Sequence, residues 1–118
     1  MKEIDQIYHN EFGISFFWKK EQNNAYEKIQ LVFKETGFYL TVAQLREFCQ
    51  LVHVSKLKNS CCDDCAFKNS CHKFLLKTPC EAIDLAVNME ELQLIEDLIR
   101  GTLFTLQIDD FIYGVGRN

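Results

Sequence analysis

The sequence predicts an α+β fold in which two helices pack on a mainly antiparallel sheet. Two observations predict it: short β-prone runs outnumber helical segments, and each helical segment directly follows a pair of such runs. The chain has 118 residues, the size of one domain, and 47% of them are hydrophobic. Since it holds one proline and five glycines, we expect little of it to be unstructured.

Six strands are predicted from short apolar runs bounded by turn-forming residues. They cover residues 4–9, 14–19, 28–34, 37–40, 73–77 and 83–87. Residues 10–13 predict the turn of an N-terminal hairpin, and residues 35–37 predict the turn of the hairpin after it. We expect the N-terminal hairpin to extend the sheet.

Two helices are predicted at residues 42–55 and 89–105, after the N-cap types Thr41 and Asn88. Segments 40–52 and 87–99 align without gaps, at an offset of 47 residues. Apolar residues at helical spacing coincide in this alignment: Leu45, Phe48 and Val52 with Leu92, Ile95 and Ile99. The single domain 1–118 thus contains two strand–strand–helix repeats, at about 28–55 and 73–105, around a cysteine-rich loop at 56–72.

The chain segments that lead into the two helices carry a family resemblance. Residues 38–41 (Phe-Tyr-Leu-Thr) and 84–88 (Asp-Leu-Ala-Val-Asn) resemble a family of small uncharacterised bacterial proteins with a duplicated strand–strand–helix unit. The resemblance covers roughly residues 31–99. It implies an α+β fold with two pseudo-symmetric copies and helices packed on a sheet, and it implies no activity and no catalytic residue.

Five of the six cysteines fall within residues 61–80. Three of them form the pattern C-x2-C-x5-C, and a C-x2-C pair can bring two thiolates to one metal ion. A further cysteine lies in the predicted turn between two strands and is the preferred fourth ligand. The predicted ligands are Cys62, Cys65, Cys71 and Cys80, with Cys61, His72 and Cys49 as alternates.

The nature of the bound species has more than one interpretation. Zinc suits such a site, whereas the C-x2-C-x5-C spacing also resembles that of auxiliary iron–sulfur domains in radical enzymes and of some cluster-holding nucleases. Residues 55–77 contain five lysines and two aspartates. Because basic neighbours lower the pKa of a thiol and favour the reactive thiolate, a redox role is a further interpretation. Finally, the cysteines can be plain small apolar residues that bind nothing.

Composition and missing motifs narrow the function. The first residues do not resemble a signal peptide, and the longest uncharged apolar run, 101–108, is too short to cross a bilayer, so we expect a cytoplasmic protein without membrane contact. A net charge of −4 argues against nucleic-acid binding. No catalytic residue is predicted.

The favoured function is a non-enzymatic interaction module with a structural metal, which binds a protein partner or associates with itself. The alternatives are a thiol-based redox sensor or oxidoreductase, and a metal-free binding scaffold.

Overall fold

A computed structural model describes residues 4–18, 28–59 and 73–117 of the chain, with side chains as far as Ile108. Strands β1 (Ile4–His9), β2 (Gly13–Trp18), β3 (Ile29–Phe33) and β4 (Thr36–Leu40) form a four-stranded antiparallel sheet in sequence order. Helix α1 (Val42–Asn59) follows, and β5 (Phe74–Lys77) and β6 (Asp84–Val87) form a second antiparallel sheet before helix α2 (Met89–Arg117). The α+β class is confirmed.

The strands form two sheets, where the sequence predicted one. The N-terminal hairpin extends the first sheet as expected, because β2 pairs with β3. Within the described residues, however, β5 and β6 pair only with each other. The alternation of apolar residues along a strand shows which face is buried and not which strand lies beside it. The sequence pattern therefore located the strands without dividing them between sheets.

Both helices are longer than predicted. Helix α1 continues to Asn59, so the first four residues of the predicted cysteine-rich loop are helical. The side-chain amide of Asn59, Nδ2, donates to the Ser55 carbonyl at 2.8 Å. Helix α2 runs to Arg117, twelve residues beyond its predicted end at residue 105. Glycines lower helix propensity without forcing an end, and no proline follows to stop the helix. No helix in the described part of the chain is long and apolar enough to cross a membrane.

The predicted N-caps are confirmed, and each forms a reciprocal capping box. The Gln44 N–H donates to Thr41 Oγ1 at 3.1 Å, and the Thr41 N–H donates to Gln44 Oε1 at 3.0 Å. At α2, the Glu91 N–H donates to Asn88 Oδ1 at 2.7 Å and the Asn88 N–H donates to Glu91 Oε1 at 3.1 Å. Two otherwise unpaired backbone donors are thus satisfied at each helix start.

The core lies between the two helices and the inner faces of both sheets. The helices bury the apolar positions that their spacing predicted. The largest fully buried side chains are Phe33, Phe48, Ile29, Leu31, Leu45, Leu76, Leu92, Ile95, Leu98, Ile99, Val52 and Val87. The only hydrogen bond between side chains inside this core, among those described, joins the Ser15 and Thr102 hydroxyls at 2.7 Å, while Thr102 donates to the Leu98 carbonyl. This pair fixes α2 on β2.

The turn between β3 and β4 differs from the predicted one. Phe33 pairs with Thr36, so the turn has two residues, Lys34 and Glu35, with φ of 48° and 65°. Two positive φ values define a type I′ turn, whose twist suits a hairpin and which usually holds Asn or Gly. Because Gly37 favoured a turn at 35–37, the prediction placed the turn too late; Gly37 lies within β4.

Candidate functional site

The cysteine-rich region is described only at its two ends. Of the predicted ligands, Cys62, Cys65 and Cys71 lie outside the described residues, as do the alternates Cys61 and His72. Cys80 and Cys49 lie inside them and are free thiols. The side chains described between residues 4 and 108 contain no group of three or more His, Cys, Asp or Glu that could hold a metal ion.

Cys80 lies in the turn between β5 and β6, as predicted, with its side chain exposed. The buried Thr78 hydroxyl organises this turn: it accepts the Cys80 N–H at 3.1 Å and lies 2.8 Å from the Ile83 carbonyl oxygen, to which it donates. The Ile83 N–H in turn donates to the Cys80 carbonyl at 2.9 Å. The backbone of Cys80 is therefore held by hydrogen bonds while its thiol remains accessible.

Cys49 and Cys80 lie apart from the ends of the segment 60–72. Cys49 is half-buried on α1 and packs against the core. Cys80 lies near Gln44, a residue of the first turn of α1, because both line one surface groove, described below. From Gln44 to Asn59, where that segment begins, α1 rises about 22 Å. Its other end, Lys73, precedes β5, whose far end leads into the Cys80 turn. Cys80 thus lies beside the first turn of α1, whereas the segment 60–72 begins after the last residue of α1.

A groove of about 340 Å³ separates β4 from the turn that holds Cys80. We call it the β4 groove. None of its lining residues is charged; they are Thr36, Gly37, Phe38, Tyr39, Leu40, Gln44, Pro79, Cys80 and Ile83. Concave surfaces with mainly apolar linings and a few polar groups are the usual form of binding sites. The β4 groove is therefore the candidate site among the described residues.

One wall of the β4 groove is a strand edge. Within the described residues β4 pairs only with β3, and the Phe33–Thr36 pair flanks a two-residue turn, so it is a hydrogen-bonded pair. Backbone bonds to β3 alternate along the strand, so they also come from Phe38 and Leu40. The N–H and C=O groups of Gly37 and Tyr39 consequently point away from β3, toward the free edge.

The β4 groove was not among the sites predicted from the sequence. Its one usable signal was the composition of β4, Thr-Gly-Phe-Tyr-Leu, which lacks the lysines and prolines that commonly protect an edge strand. That signal matters only if β4 is known to be an edge. The expected single sheet gave no reason to single out β4 as an edge.

A second groove, of about 180 Å³, lies between α1 and β5, next to Asn59. Its exposed apolar side chains include Val54 and Leu75, which are 48% and 64% exposed. Lys58 and Lys77 also line it. This α1–β5 groove borders Asn59, after which the cysteine segment begins, and Lys58 places positive charge there.

Glu91 is the carboxylate that joins the two sheets to α2. It lies 3.3 Å from Lys34 Nζ of the β3–β4 turn and 3.4 Å from Lys73 Nζ at the start of β5. Burial raises the pKa of Glu91, but the Asn88 N–H and the two lysines outweigh burial, and the net pKa lies below its usual value. The same holds for Glu96: burial raises its pKa, but hydrogen bonds and ion pairs with Lys56 and Arg100 lower it by more, so the net pKa lies below its usual value.

We expect Glu91→Gln to lower the free energy of unfolding by about 1 kcal/mol at pH 7, because it removes a partly exposed charged hydrogen-bond acceptor. A lowered folded pKa stabilises the protein above the unfolded value near 4.5 and ceases to do so as pH falls through the folded value. The difference between variant and wild type should therefore shrink from pH 7 to pH 3 in urea unfolding. Exposed Glu90→Gln is the control, and a constant difference across this range would contradict the prediction.

No family model, no curated protein and no solved structure matches the chain. The β4 groove and the cysteines are therefore the features of this chain that bear on its function.

Proposed function

We propose that this chain is a non-enzymatic interaction module of the cytoplasm, which binds a protein partner in the β4 groove and holds its cysteine-rich region with a structural metal. The observation that carries the proposal is the β4 edge, whose outward backbone groups lie beside an uncharged concave surface. Strand edges pair readily with other backbones unless charges, prolines or bulges prevent it.

The two edges of the four-stranded sheet differ in a way that supports this proposal. The β1 edge has a register shift between Gln6 and Tyr8 and carries Asp5. It is also held to α2, because the Tyr8 hydroxyl donates to Asp97 at 3.0 Å. The β4 edge is regular and uncharged along its five residues. Of the two edges, β4 is the one suited to a partner.

A display selection tests the interaction role. The probe is a library of random eight-residue peptides presented to the immobilised full-length chain, with the same chain heat-denatured as the control target. We expect enrichment of related sequences on the folded chain alone. Equal recovery from folded and denatured chain would contradict an interaction module.

The proposed metal site uses Cys62, Cys65, Cys71 and Cys80, with Cys61, His72 and Cys49 as alternate ligands. The C-x2-C spacing supports it, and so does the positive charge of Lys58, one residue before the end of α1, which offsets the charge of thiolates. Zinc is the proposed ion, and an iron–sulfur cluster is the alternative. Such a site would add its binding free energy to folding.

The described residues bear mainly on the identity of the fourth metal ligand. By chain length alone, Cys71 lies within about 7 Å of Lys73 and Cys62 within about 11 Å of Asn59. Cys80 lies beside Gln44 in the first turn of α1, whereas Asn59 is the last residue of that helix. Cys61 and His72, by contrast, lie within two residues of a described end of the segment. Substituting Cys80 therefore separates the two ligand sets.

We expect the chain purified anaerobically without chelator to hold about one equivalent of zinc, or to absorb visible light as an iron–sulfur protein. Cys65→Ser should lose the metal and unfold at lower urea, because the ligand stabilises only the folded state. Cys80→Ser should do the same if Cys80 is the fourth ligand. Ser70→Ala, beside Cys71, is the control and should keep the metal. Full metal content in Cys65→Ser, or a stable metal-free wild type, would refute the site.

The duplicated unit is also part of the proposal. In each half, two strands precede a helix, and the two capping boxes lie at the same offset of 47 residues as the aligned segments. The apolar positions aligned between the halves are fully buried in both. We propose that β3–β4–α1 and β5–β6–α2 are copies of one unit, and that the hairpin β1–β2 is an addition before the first copy.

A further inference from the structure

We infer that the β4 groove takes its partner as a short, extended and uncharged peptide segment, which pairs with β4 through the main-chain groups of Gly37 and Tyr39. The inference rests on the proposed function and specifies the partner's chemistry.

The edge of β4 offers a repeated backbone pattern. Gly37 and Tyr39 are two residues apart, so their outward N–H and C=O groups can exchange four hydrogen bonds with an antiparallel strand. The residues between and after them, Phe38 and Leu40, are each 6% exposed and anchored in the core. The edge is therefore held in its pairing conformation before a partner arrives, which lowers the entropic cost of binding.

The opposite wall of the groove supplies side chains and no second strand edge. Pro79 has no N–H group, and the N–H and C=O of Cys80 already bond to Thr78 and Ile83. A helix satisfies its own backbone groups and cannot use the edge of β4. A folded sheet would bring further strands against Pro79 and Ile83. A single extended segment fits the groove and also satisfies the edge.

The lining determines the chemistry of the segment. Because no lining residue is charged, a charged side chain would lose water there without gaining an ionic partner. Ile83 is 42% exposed and offers an apolar contact opposite β4. Lys28 Nζ lies 5.2 Å from the centre of the Tyr39 ring, so this cation is engaged by the ring. About five uncharged residues, with apolar or β-branched side chains facing Ile83, match the length of β4.

The test uses peptides enriched in the selection, measured against two variants of one residue. Tyr39→Pro removes an outward N–H but no bond to β3, whereas Tyr39→Thr keeps the N–H and removes the ring. We expect Tyr39→Pro to weaken binding at least about tenfold, and Tyr39→Thr to weaken it only a few-fold. Circular dichroism checks that both variants are folded.

A second arm keeps the wild-type protein and changes the peptide. Two peptides are compared, one N-methylated at the odd-numbered amides and the other at the even-numbered amides. Only every second amide faces β4, so methylation should abolish the binding of one peptide and change the affinity of the other only a few-fold. Equal affinity of both peptides, or equal affinity for wild type and Tyr39→Pro, would overturn the inference while leaving an interaction module standing. A selection that enriches nothing would overturn both.

A second copy of the chain is the competing occupant. If β4 pairs with β4 of another copy, the mass of the protein in solution should rise toward that of a dimer as its concentration rises. Tyr39→Pro should then abolish this dimerisation. Analytical ultracentrifugation of the full chain distinguishes the two. We expect a mass independent of concentration in both proteins, and dimerisation through β4 would overturn the peptide assignment.

Discussion

Phe48→Ala should lower the free energy of unfolding by about 3–5 kcal/mol. Phe48 is 0% exposed, and its ring centre lies 6.5 Å from that of Phe33 and 5.5 Å from that of Phe38. These neighbours belong to paired strands and cannot move inward to fill the space that the ring leaves. The variant loses both the transfer free energy of the ring and the contacts around the cavity.

Urea unfolding monitored by far-ultraviolet circular dichroism measures this loss. Val54→Ala lies on the same helix, also removes apolar atoms from a side chain and is 48% exposed, so it should change stability by less than about 0.5 kcal/mol. A loss below about 1 kcal/mol for Phe48→Ala would show that the core is not packed around this ring.

Gly13→Ala should cost about 3 kcal/mol although it adds a single methyl group. A Cβ at this position would collide with the Val32 carbonyl oxygen and lie 2.7 Å from Phe33 Cβ and 3.0 Å from Leu98 Cδ2. The Val32 carbonyl oxygen is a backbone atom of β3, and Phe33 Cβ is attached directly to that backbone. Strand β3 is held in place because it pairs with β2 on one side and with β4 on the other. The strain therefore cannot be relieved by a rotation of one side chain.

Gly37→Ala is the matched control for Gly13→Ala. Both glycines lie in strands of the same sheet, but the nearest atom to a Cβ on Gly37 is the end of the Gln30 side chain, at 3.0 Å. We expect its loss to be under about 1 kcal/mol. Equal stabilities of the two variants in urea unfolding would contradict the close approach of β2 to β3.

The local part of the fold could be predicted from the sequence. Helical spacing at Leu45 and Phe48, and the cap at Thr41, placed α1 because both signals depend on neighbouring residues. The end of α2 was missed because a glycine weakens a helix without stopping it. The turn at Lys34 and Glu35 was missed because neither residue type usually has positive φ.

The site was less accessible to prediction than the elements. Cys80 could be placed in a turn because Pro79 and the runs around it are local signals. The β4 groove depends on β5 and β6 forming a separate sheet after α1, which leaves β4 at an edge. No residue of β4 reports by its type which strand comes next to it. The positions of Cys62, Cys65 and Cys71 remain predictions.

The bond between Ser15 and Thr102 joins residues 87 positions apart, and it has a consequence for protein synthesis. A ribosome that adds about 5–20 residues per second makes β2 on the order of 4–17 s before it makes the part of α2 that covers it. During that interval the inner face of the first sheet has no helix α2 against it. Nascent chains of this protein should therefore bind chaperones that recognise apolar strands until α2 has left the ribosome.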